Sequence, residues 1–238
     1  MKSMMMENEY KEAIVLAGGF GTRLQGVVKD VPKPMAPING RPFLTYILDY
    51  LIEYRYTRVI LSVGYLHEKI EEFFGTQYKS LEIDYAVETE PLGTGGGILF
   101  AMSKCKTDNV LVINGDTMFK VDLDAFERFF AEKNCLLSIV LREVDDVARY
   151  GCVVIGSNGL ITLFSEKQAS VGRGLINGGV YLINRMLFDK YPQPQKFSFE
   201  KDLMTKYYRQ ELFYAMPSDG YFIDIGIPED YARAQREL

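Results

Sequence analysis

The stretch that decides the fold is Glu-Ala-Ile-Val-Leu-Ala-Gly-Gly-Phe-Gly-Thr-Arg-Leu at residues 12–24, followed by Pro-Lys-Pro at 32–34. Residues 13–16 are apolar on both faces and predict a short buried strand. The glycines after it have no Cβ, so backbone N–H groups of this turn can approach an anion closely. Arg23 and Lys33 add two cations nearby in the sequence. We therefore predict that this stretch binds the phosphate chain of a nucleoside triphosphate.

Two better-known phosphate-binding motifs do not fit this stretch. Residues 19–24 match the dinucleotide fingerprint Gly-x-Gly-x-x-Gly only as far as the second glycine, because Leu24 stands at the third. The second predicted strand ends in Leu-Ser-Val-Gly at 61–64, without the acidic residue that binds a ribose. A Walker A loop would need Gly-Lys-Ser/Thr in this register, which the sequence does not have. A glycine turn that only serves the geometry between a strand and a helix stays open as the alternative.

The composition limits the classes of partner. The 238 residues carry a formal net charge of −5, which disfavours a nucleic-acid partner held by bulk basicity. A polyanionic substrate must instead be held by a few local cations or by metal ions. Cys105, Cys135 and Cys152 form no Cys-x-x-Cys pair and are typical of reduced thiols in a cytoplasmic protein. We expect no membrane association, because no apolar run approaches the length of a membrane span.

Alternating short strands and helices in the first half of the chain predict a parallel sheet with right-handed crossovers. The predicted strands of this half are residues 13–16, 58–64, 81–87 and 109–113, and its predicted helices begin at Pro42, at 66 and at 98. The second half has a predicted helix at 122–133 and shorter strands, among them 178–183, which indicate some antiparallel pairing. We expect one α/β domain over 1–238, with two lobes that face a cleft.

Residues that could bind a ligand follow several of the predicted strands. Ligands of such sheets bind beyond the carboxyl ends of the strands, where this chain has the glycine turn, the loop at 88–97 and Asp116. Asp224 lies within an apolar run, where an unpaired carboxylate is costly. Asp116 and Asp224 would both be satisfied by sharing one Mg²⁺ with substrate phosphates. A turn cap for Asp116 and a solvated surface position for Lys33 stay open as alternatives.

Four motifs together resemble the sugar-1-phosphate nucleotidyltransferases: the glycine stretch with Pro-Lys-Pro, Asn-Gly-Asp at 114–116, Glu-Lys at 166–167 and Asn-Gly-Gly-Val-Tyr at 177–181. The resemblance implies a Rossmann-like mixed, mostly parallel sheet flanked by helices, in a single domain. It implies that a nucleoside triphosphate and a sugar 1-phosphate are joined into a nucleotide sugar, with Mg²⁺ and release of pyrophosphate. The lobes at about 12–120 and 121–238 would then bind the nucleotide and the sugar phosphate.

Carried over position by position, the resemblance implies four sets of site residues. It implies catalytic roles for Arg23, Lys33 and Asp116, and metal binding by Asp116 and Asp224. The residues expected to bind the nucleotide are Leu16, Ala17, Gly18, Gly19, Gly21, Thr22, Glu88, Gly93 and Thr94. The residues expected to bind the sugar phosphate are Tyr150, Gly151, Glu166, Lys167, Asn177 and Gly178. Many relatives have Pro-Leu-Thr after the position of Leu24, where this chain differs, so the path of that loop is not implied.

Glu88 is expected to select the base, since it matches the family position that faces the pairing edge. Guanine presents N1–H and N2–H₂ side by side, which one carboxylate can accept as two hydrogen bonds. Uracil and thymine present a single N–H, and adenine presents a bare acceptor. Each charge-assisted bond contributes roughly 1.5–3 kcal/mol. GTP is therefore the expected donor, and UTP stays open as the alternative.

The run Pro-Leu-Gly-Thr-Gly-Gly-Gly at 91–97 most resembles the D-glycero-α-D-manno-heptose 1-phosphate guanylyltransferase branch of the family. That branch implies nucleotide-sugar synthesis for lipopolysaccharide or another cell-surface glycan. Mannose 1-phosphate guanylyltransferases and N-acetylmuramate 1-phosphate uridylyltransferases stay open as alternatives. A non-catalytic subunit that senses nucleotide sugars is a further alternative, disfavoured because Arg23, Lys33, Asp116 and Asp224 are all present. Assembly into a homo-oligomer also stays open.

Overall fold

The structure, a computed structural model, describes residues 10–19, 31–148, 150–165 and 172–238. Its strands are β1 (Glu12–Leu16), β2 (Pro37–Ile38), β3 (Arg41–Pro42), β4 (Arg58–Val63), β5 (Gln77–Tyr78), β6 (Leu81–Val87), β7 (Asn109–Asn114), β8 (Thr117–Phe119), β9 (Leu137–Val144), β10 (Cys152–Ile155), β11 (Ile161–Ser165), β12 (Gly174–Asn184), β13 (Tyr214–Ser218) and β14 (Phe222–Asp224). Its helices are α1 (Phe43–Glu53), α2 (His67–Phe74), α3 (Gly93–Met102), α4 (Leu123–Lys133), α5 (Met186–Lys190), α6 (Thr205–Tyr207) and α7 (Pro228–Glu237), with a 3₁₀ turn at Lys33–Met35 and a π-helical turn at Phe199–Met204.

The central sheet confirms the predicted α/β class. Its strands run in the order β11-β10-β12-β7-β1-β4-β6-β5; β9 also pairs with β12, and β13 pairs with β9. β1 is parallel to both of its neighbours and pairs Ile14 with Ile60 and with Val112. β12 is antiparallel to β7 and to β9, so the second half of the chain is mixed, as predicted. The strands at the centre are buried on both faces, which explains their nearly continuous apolar sequences.

Alternate side chains of β1 enter two hydrophobic clusters, one on each side of the sheet. Ala13 and Val15 pack in the cluster that contains Phe43 of α1. Ile14 packs in the cluster that contains Ile98 of α3. All of these side chains are fully buried. Burying an aliphatic or aromatic side chain contributes about 1.5–3 kcal/mol, so the two clusters hold the carboxyl ends of the strands in place.

The predicted helix at 98–102 is wrong at its start, because α3 begins at Gly93. Gly95 and Gly96 donate their N–H groups to the Phe197 carbonyl at 3.1 and 3.3 Å. A Cβ on Gly95 would lie 2.1 Å from the Phe197 ring. The glycine run thus forms the first turn of a helix that packs closely on a distant segment, which the local sequence does not reveal.

The sugar-side strand is also longer than predicted. β12 begins four residues before residue 178, and a bulge interrupts its pairing with β9 between Asn177 and Tyr181. Gly179 within the bulge has a φ of +73°, and a Cβ there would lie 2.5 Å from Asn114 Nδ2. The bulge of β12 therefore packs closely against the end of β7.

The structure also describes the state of the three cysteines and the length of the helices. Cys105, Cys135 and Cys152 are each free. Within the ranges that the structure describes, no helix is both long and apolar enough to span a membrane.

Candidate active site

The turn after β1 is tied to both neighbouring strands at the centre of the sheet. Ala17 donates its N–H to the Ser62 carbonyl at 2.7 Å, and Gly115 donates its N–H to the Leu16 carbonyl at 2.9 Å. Gly19 is exposed, and among the described residues no heavy atom lies within 4 Å of the position its Cβ would take. These bonds hold the backbone of Leu16 and Ala17, which leads into the glycine turn. Gly19 stays accessible to a ligand.

Glu88, the predicted base-selecting residue, lies directly beside this turn. A Cβ on Gly18 would be 3.5 Å from Glu88 Oε1. The Ser62 hydroxyl donates to Glu88 Oε1 at 3.1 Å, and the Leu92 N–H donates to Oε2 at 3.0 Å. A carboxylate can accept about four hydrogen bonds, so these two leave capacity on both oxygens. The side chain is oriented by the protein and can still accept two donors from a ligand.

A lysine and two aspartates converge at the ends of β7 and β14. Lys33 Nζ donates to Asp116 Oδ2 at 2.6 Å and to Asp224 Oδ1 at 3.4 Å. The Lys33 side chain is only 10% exposed, so the alternative of a solvated surface lysine does not hold. β8 and β14 form a separate two-stranded sheet in which Thr117 is opposite Asp224. This small sheet brings the two aspartates together from positions far apart in the sequence.

The electrostatics of this cluster favour an added cation. Burial raises the pKa of Asp224, and the nearby charge of Asp116 raises it further. Lys33 and the N–H of Gly226, which donates to Asp224 Oδ1 at 2.7 Å, oppose that shift. The net direction of the Asp224 pKa is upward, which means that Lys33 and Gly226 do not fully offset the burial of this carboxylate and its repulsion from Asp116.

The residues of the cluster fit a magnesium ion. Two carboxylates already converge on a positive charge, and carboxylate oxygens are the ligands that Mg²⁺ prefers. Within the described parts of the chain, no group of three or more acidic, histidine or cysteine side chains could hold a metal. An ion bound by Asp116 and Asp224 would therefore take further ligands from water and substrate phosphates, as Mg²⁺ commonly does.

A cleft of about 1060 Å³ in the second half of the chain reaches this cluster at Asp224. It joins Asp224 to Tyr150, the residue predicted to lie above the sugar pocket. The Tyr150 ring lies edge-on to Phe222, with ring centroids 6.5 Å apart. Six acidic side chains and three arginines line it: Asp122, Glu143, Asp145, Asp219, Asp224, Asp230, Arg142, Arg173 and Arg233. The cleft is large enough for a phosphorylated sugar, whose phosphate only the three arginines of this lining would attract.

Asn177 and Gly178, also predicted for the sugar side, lie in the bulge of β12. Asn177 Nδ2 donates to the Tyr181 hydroxyl at 2.8 Å, and Asn177 Oδ1 accepts the Gly179 N–H at 3.1 Å. A Cβ on Gly178 would lie 2.5 Å from the Phe119 ring, so this position requires glycine for packing. The structure thus fixes the orientation of the Asn177 amide.

The chain matches the family model described as nucleotidyl transferase over residues 12–238. It belongs to the nucleotidyl transferase family. The family resemblance and the fold class predicted from the sequence are therefore confirmed.

Two relatives are similar to this chain over nearly their whole length. A D-glycero-alpha-D-manno-heptose 1-phosphate guanylyltransferase of Aneurinibacillus thermoaerophilus is 49% identical over 228 residues, which cover 95% of this chain and 98% of that protein. A protein of the same name from Campylobacter jejuni is 43% identical over 220 residues, covering 92% and 96%. Crystal structures of HddC from Yersinia pseudotuberculosis, one of them complexed with GMP-PN, have a TM-score of 0.84 at 38% identity and cover 95% of this chain and 99% of theirs.

Several predicted residues of this nucleotidyl transferase lie outside the described part of the structure. These are Gly21, Thr22, Arg23, Glu166 and Lys167. Their roles in holding the triphosphate and the sugar phosphate stay predictions. Gly151, which is described, ends the turn that carries Tyr150, donating its N–H to the Val147 carbonyl at 3.1 Å.

The predicted nucleotide residues Gly93 and Thr94 have partners within the protein. A Cβ on Gly93 would lie 2.6 Å from the Phe197 carbonyl oxygen. The Thr94 hydroxyl donates to Glu200 Oε2 at 2.7 Å and accepts the Phe199 N–H at 2.9 Å. Sequence reasoning missed Glu200, because an acid in a helical segment is usually a solvated residue and its partner Thr94 is 106 positions away.

Proposed function

We propose that this protein transfers the guanylyl group of GTP to D-glycero-α-D-manno-heptose 1-phosphate, forming a nucleotide sugar and pyrophosphate. The observation that carries the proposal is 49% identity, over nearly the full length of both chains, to a protein named for that activity. The converging Lys33, Asp116 and Asp224 and the oriented Glu88 support it, since they supply the groups that this chemistry needs.

The proposed reaction needs no general base. A sugar phosphate is mostly dianionic at neutral pH, because its second pKa is about 6. One of its oxygens attacks the α-phosphorus in line, a new P–O bond forms, and the bond to the β-phosphate oxygen breaks. Pyrophosphate leaves with the electron pair of that bond. The protein must hold two anions that repel each other and balance the charge that moves to the leaving group.

Lys33 is the described cation best placed for that task. Its ammonium group is held beside Asp116 and Asp224 and is largely shielded from water, which strengthens its interaction with phosphate oxygens. Arg23 and Lys167 are proposed to add positive charge at the triphosphate and at the sugar phosphate. Mg²⁺, when held by Asp116 and Asp224, would supply further neutralisation of phosphate charge.

The choice of base is proposed to rest on Glu88. Its carboxylate is oriented by Ser62 and by the Leu92 N–H, so little conformational freedom is lost when guanine binds. Two donors of guanine could each make a charge-assisted hydrogen bond, whereas uracil offers one.

The test compares Glu88→Gln with Glu90→Gln, a matched change on the same loop at an exposed side chain. A glutamine at 88 keeps one acceptor and turns the other oxygen into a donor that opposes a donor of guanine. We expect kcat/KM for GTP to fall at least about tenfold, since one bond of roughly 1.5–3 kcal/mol is lost. Glu90→Gln should keep the wild-type value. Equal values for both variants and the wild type would refute base selection by Glu88.

A further inference from the structure

Arg142 differs from the other two arginines of the cleft in its partners. Arg173 and Arg233 each form an ion pair with an acidic side chain, at 2.8 and 3.2 Å. Arg142 is partly buried and donates to the Gly220 carbonyl at 3.1 Å, and it makes no ion pair with any residue that the structure describes. A guanidinium carries five N–H donors, so most donors of Arg142 are available to a ligand.

The sheet and the turn before β14 hold this guanidinium in place. In the sheet, Arg142 of β9 is paired with Ile176 of β12 on one side and with Ser218 of β13 on the other. Gly220 is held as well, because its N–H donates to Ser218 Oγ at 3.3 Å and a Cβ there would lie 1.8 Å from the Lys120 carbonyl oxygen. Arg142 is therefore preorganised, so a ligand that accepts its donors orders few further groups.

Arg142 is distant from the metal-binding aspartates, although Asp224 lines the same cleft. The chain between Gly220 and Asp224 runs extended, since β14 pairs with β8 and the pairing continues through Tyr221. At about 3.3 Å per residue, these four steps place Gly220 about 13 Å from Asp224. One phosphate group is too small to contact both positions, and the phosphate of the sugar must lie near Asp224 in order to attack the nucleotide. The group that reaches Arg142 is therefore the far end of the sugar.

The charge of the cleft favours a neutral group at Arg142. Six acidic side chains and three arginines line the cleft, so the lining as a whole repels a second anion. Asp219 also lines it, directly before the Gly220 that holds Arg142, and its carboxylate has no partner among the described residues. A hydroxyl group both donates and accepts hydrogen bonds, so Arg142 and Asp219 together suit a hydroxyl group, whereas Asp219 would repel a phosphate.

We propose that Arg142 is a specificity-determining residue that binds the C6 and C7 hydroxyl groups of the heptose. The proposal rests on the proposed function, from which it takes the substrate. C6 and C7 carry neighbouring hydroxyl groups, and the parallel N–H groups of a guanidinium can donate to two neighbouring oxygens. Mannose 1-phosphate has the same ring and the same phosphate but ends at C6, so it lacks one of the two acceptors. Arg142 therefore favours the heptose over mannose.

The test compares kcat/KM for heptose 1-phosphate and for mannose 1-phosphate, measured by pyrophosphate release at saturating GTP. If mannose 1-phosphate is not turned over, its inhibition constant against heptose 1-phosphate is compared instead. Arg142→Met removes every donor while it keeps an extended side chain. We expect the preference for heptose over mannose to fall at least about tenfold, which corresponds to one charge-assisted hydrogen bond. Arg128→Met changes an exposed arginine of α4 that does not line the cleft, and it should keep the wild-type preference.

The outcomes separate this proposal from the proposed function. An unchanged preference in Arg142→Met overturns it, and so does an equal loss for both sugars, which would place Arg142 at the phosphate or the ring. Arg142→Lys keeps the charge but not the parallel donors, should lower the preference at least about threefold, and decides alone if Arg142→Met does not fold. Product formation from GTP and heptose 1-phosphate is measured first on the wild-type protein. Its failure refutes the proposed function, whereas an active enzyme whose variants keep the preference refutes only the role of Arg142.

Discussion

Replacing Gly97 by alanine should displace the Glu88 carboxylate without removing a polar group. A Cβ at position 97 would lie 2.7 Å from Glu88 Oε1 and 2.9 Å from Ser62 Oγ. Ordinary contact begins near 3.4 Å, so the carboxylate oxygen must retreat by about 0.7 Å, the difference between 3.4 and 2.7 Å. Both contacts are with the ends of side chains, which can shift at little cost. We therefore expect the variant to fold.

The magnitude follows from the geometry of a hydrogen bond to guanine. A bond of about 2.9 Å that lengthens by 0.7 Å exceeds the range in which N–H···O hydrogen bonds form. Losing one charge-assisted bond of roughly 1.5–3 kcal/mol lowers kcat/KM for GTP by about 10- to 150-fold. A second alanine substitution, Gly156→Ala, is the matched control, because its Cβ would meet Asn158 Oδ1 at an ordinary 3.5 Å.

The assay is pyrophosphate release with varied GTP at saturating heptose 1-phosphate, together with the melting temperature of each variant. Gly156→Ala should keep the wild-type kcat/KM. A folded Gly97→Ala protein with the wild-type kcat/KM for GTP would show that the carboxylate of Glu88 does not contact the base.

The remaining predictions concern the catalytic cluster and a buried ion pair, Glu12 with Arg58, at the amino ends of β1 and β4. Lys33→Ala and Asp116→Asn should each lower the rate of pyrophosphate release by about 10²- to 10³-fold, and unchanged rates would refute the site assignment. Glu12→Gln should lower the free energy of unfolding in urea by about 3 kcal/mol without changing kcat, because the buried Arg58 loses its fully buried partner. Burial alone would raise the pKa of Glu12, but hydrogen bonds from Thr107, Arg58 and Lys106 lower it, so this stabilisation is present above the ordinary value of 4.5 and is lost as the pH falls through the lowered pKa. Acid unfolding curves should therefore be flatter for Glu12→Gln, and parallel curves would contradict the pKa assignment.

The parts of the fold that could be predicted are those set by local patterns. The strand before the glycine turn is apolar throughout because it lies between β4 and β7 with both faces covered. Asp116 and Asp224 could be paired in advance because ligands collect at strand ends and an unpaired carboxylate in an apolar run is costly. The burial of Glu12 was not predicted, since its partner Arg58 comes 46 positions later.

Other parts of the fold and of the site could not be predicted, because they depend on contacts between segments that are distant in the sequence. The placement of Lys33 between two aspartates requires the pairing of β8 with β14, which no local pattern indicates. Gly93 was predicted to bind the nucleotide, and the structure adds a packing role for this glycine and for Gly95 against Phe197. Glu200 gave no signal, because its partners Thr94 and Tyr181 lie on other elements.

The identity of the product formed in a mixed-substrate reaction tests the central claim most directly. The purified protein would receive equal concentrations of GTP, UTP, ATP and dTTP, with Mg²⁺ and D-glycero-α-D-manno-heptose 1-phosphate, and the products would be identified by mass spectrometry. We predict GDP-heptose as the main product, with one pyrophosphate released for each molecule formed. A UDP-sugar as the main product, or no pyrophosphate release, would contradict the claim.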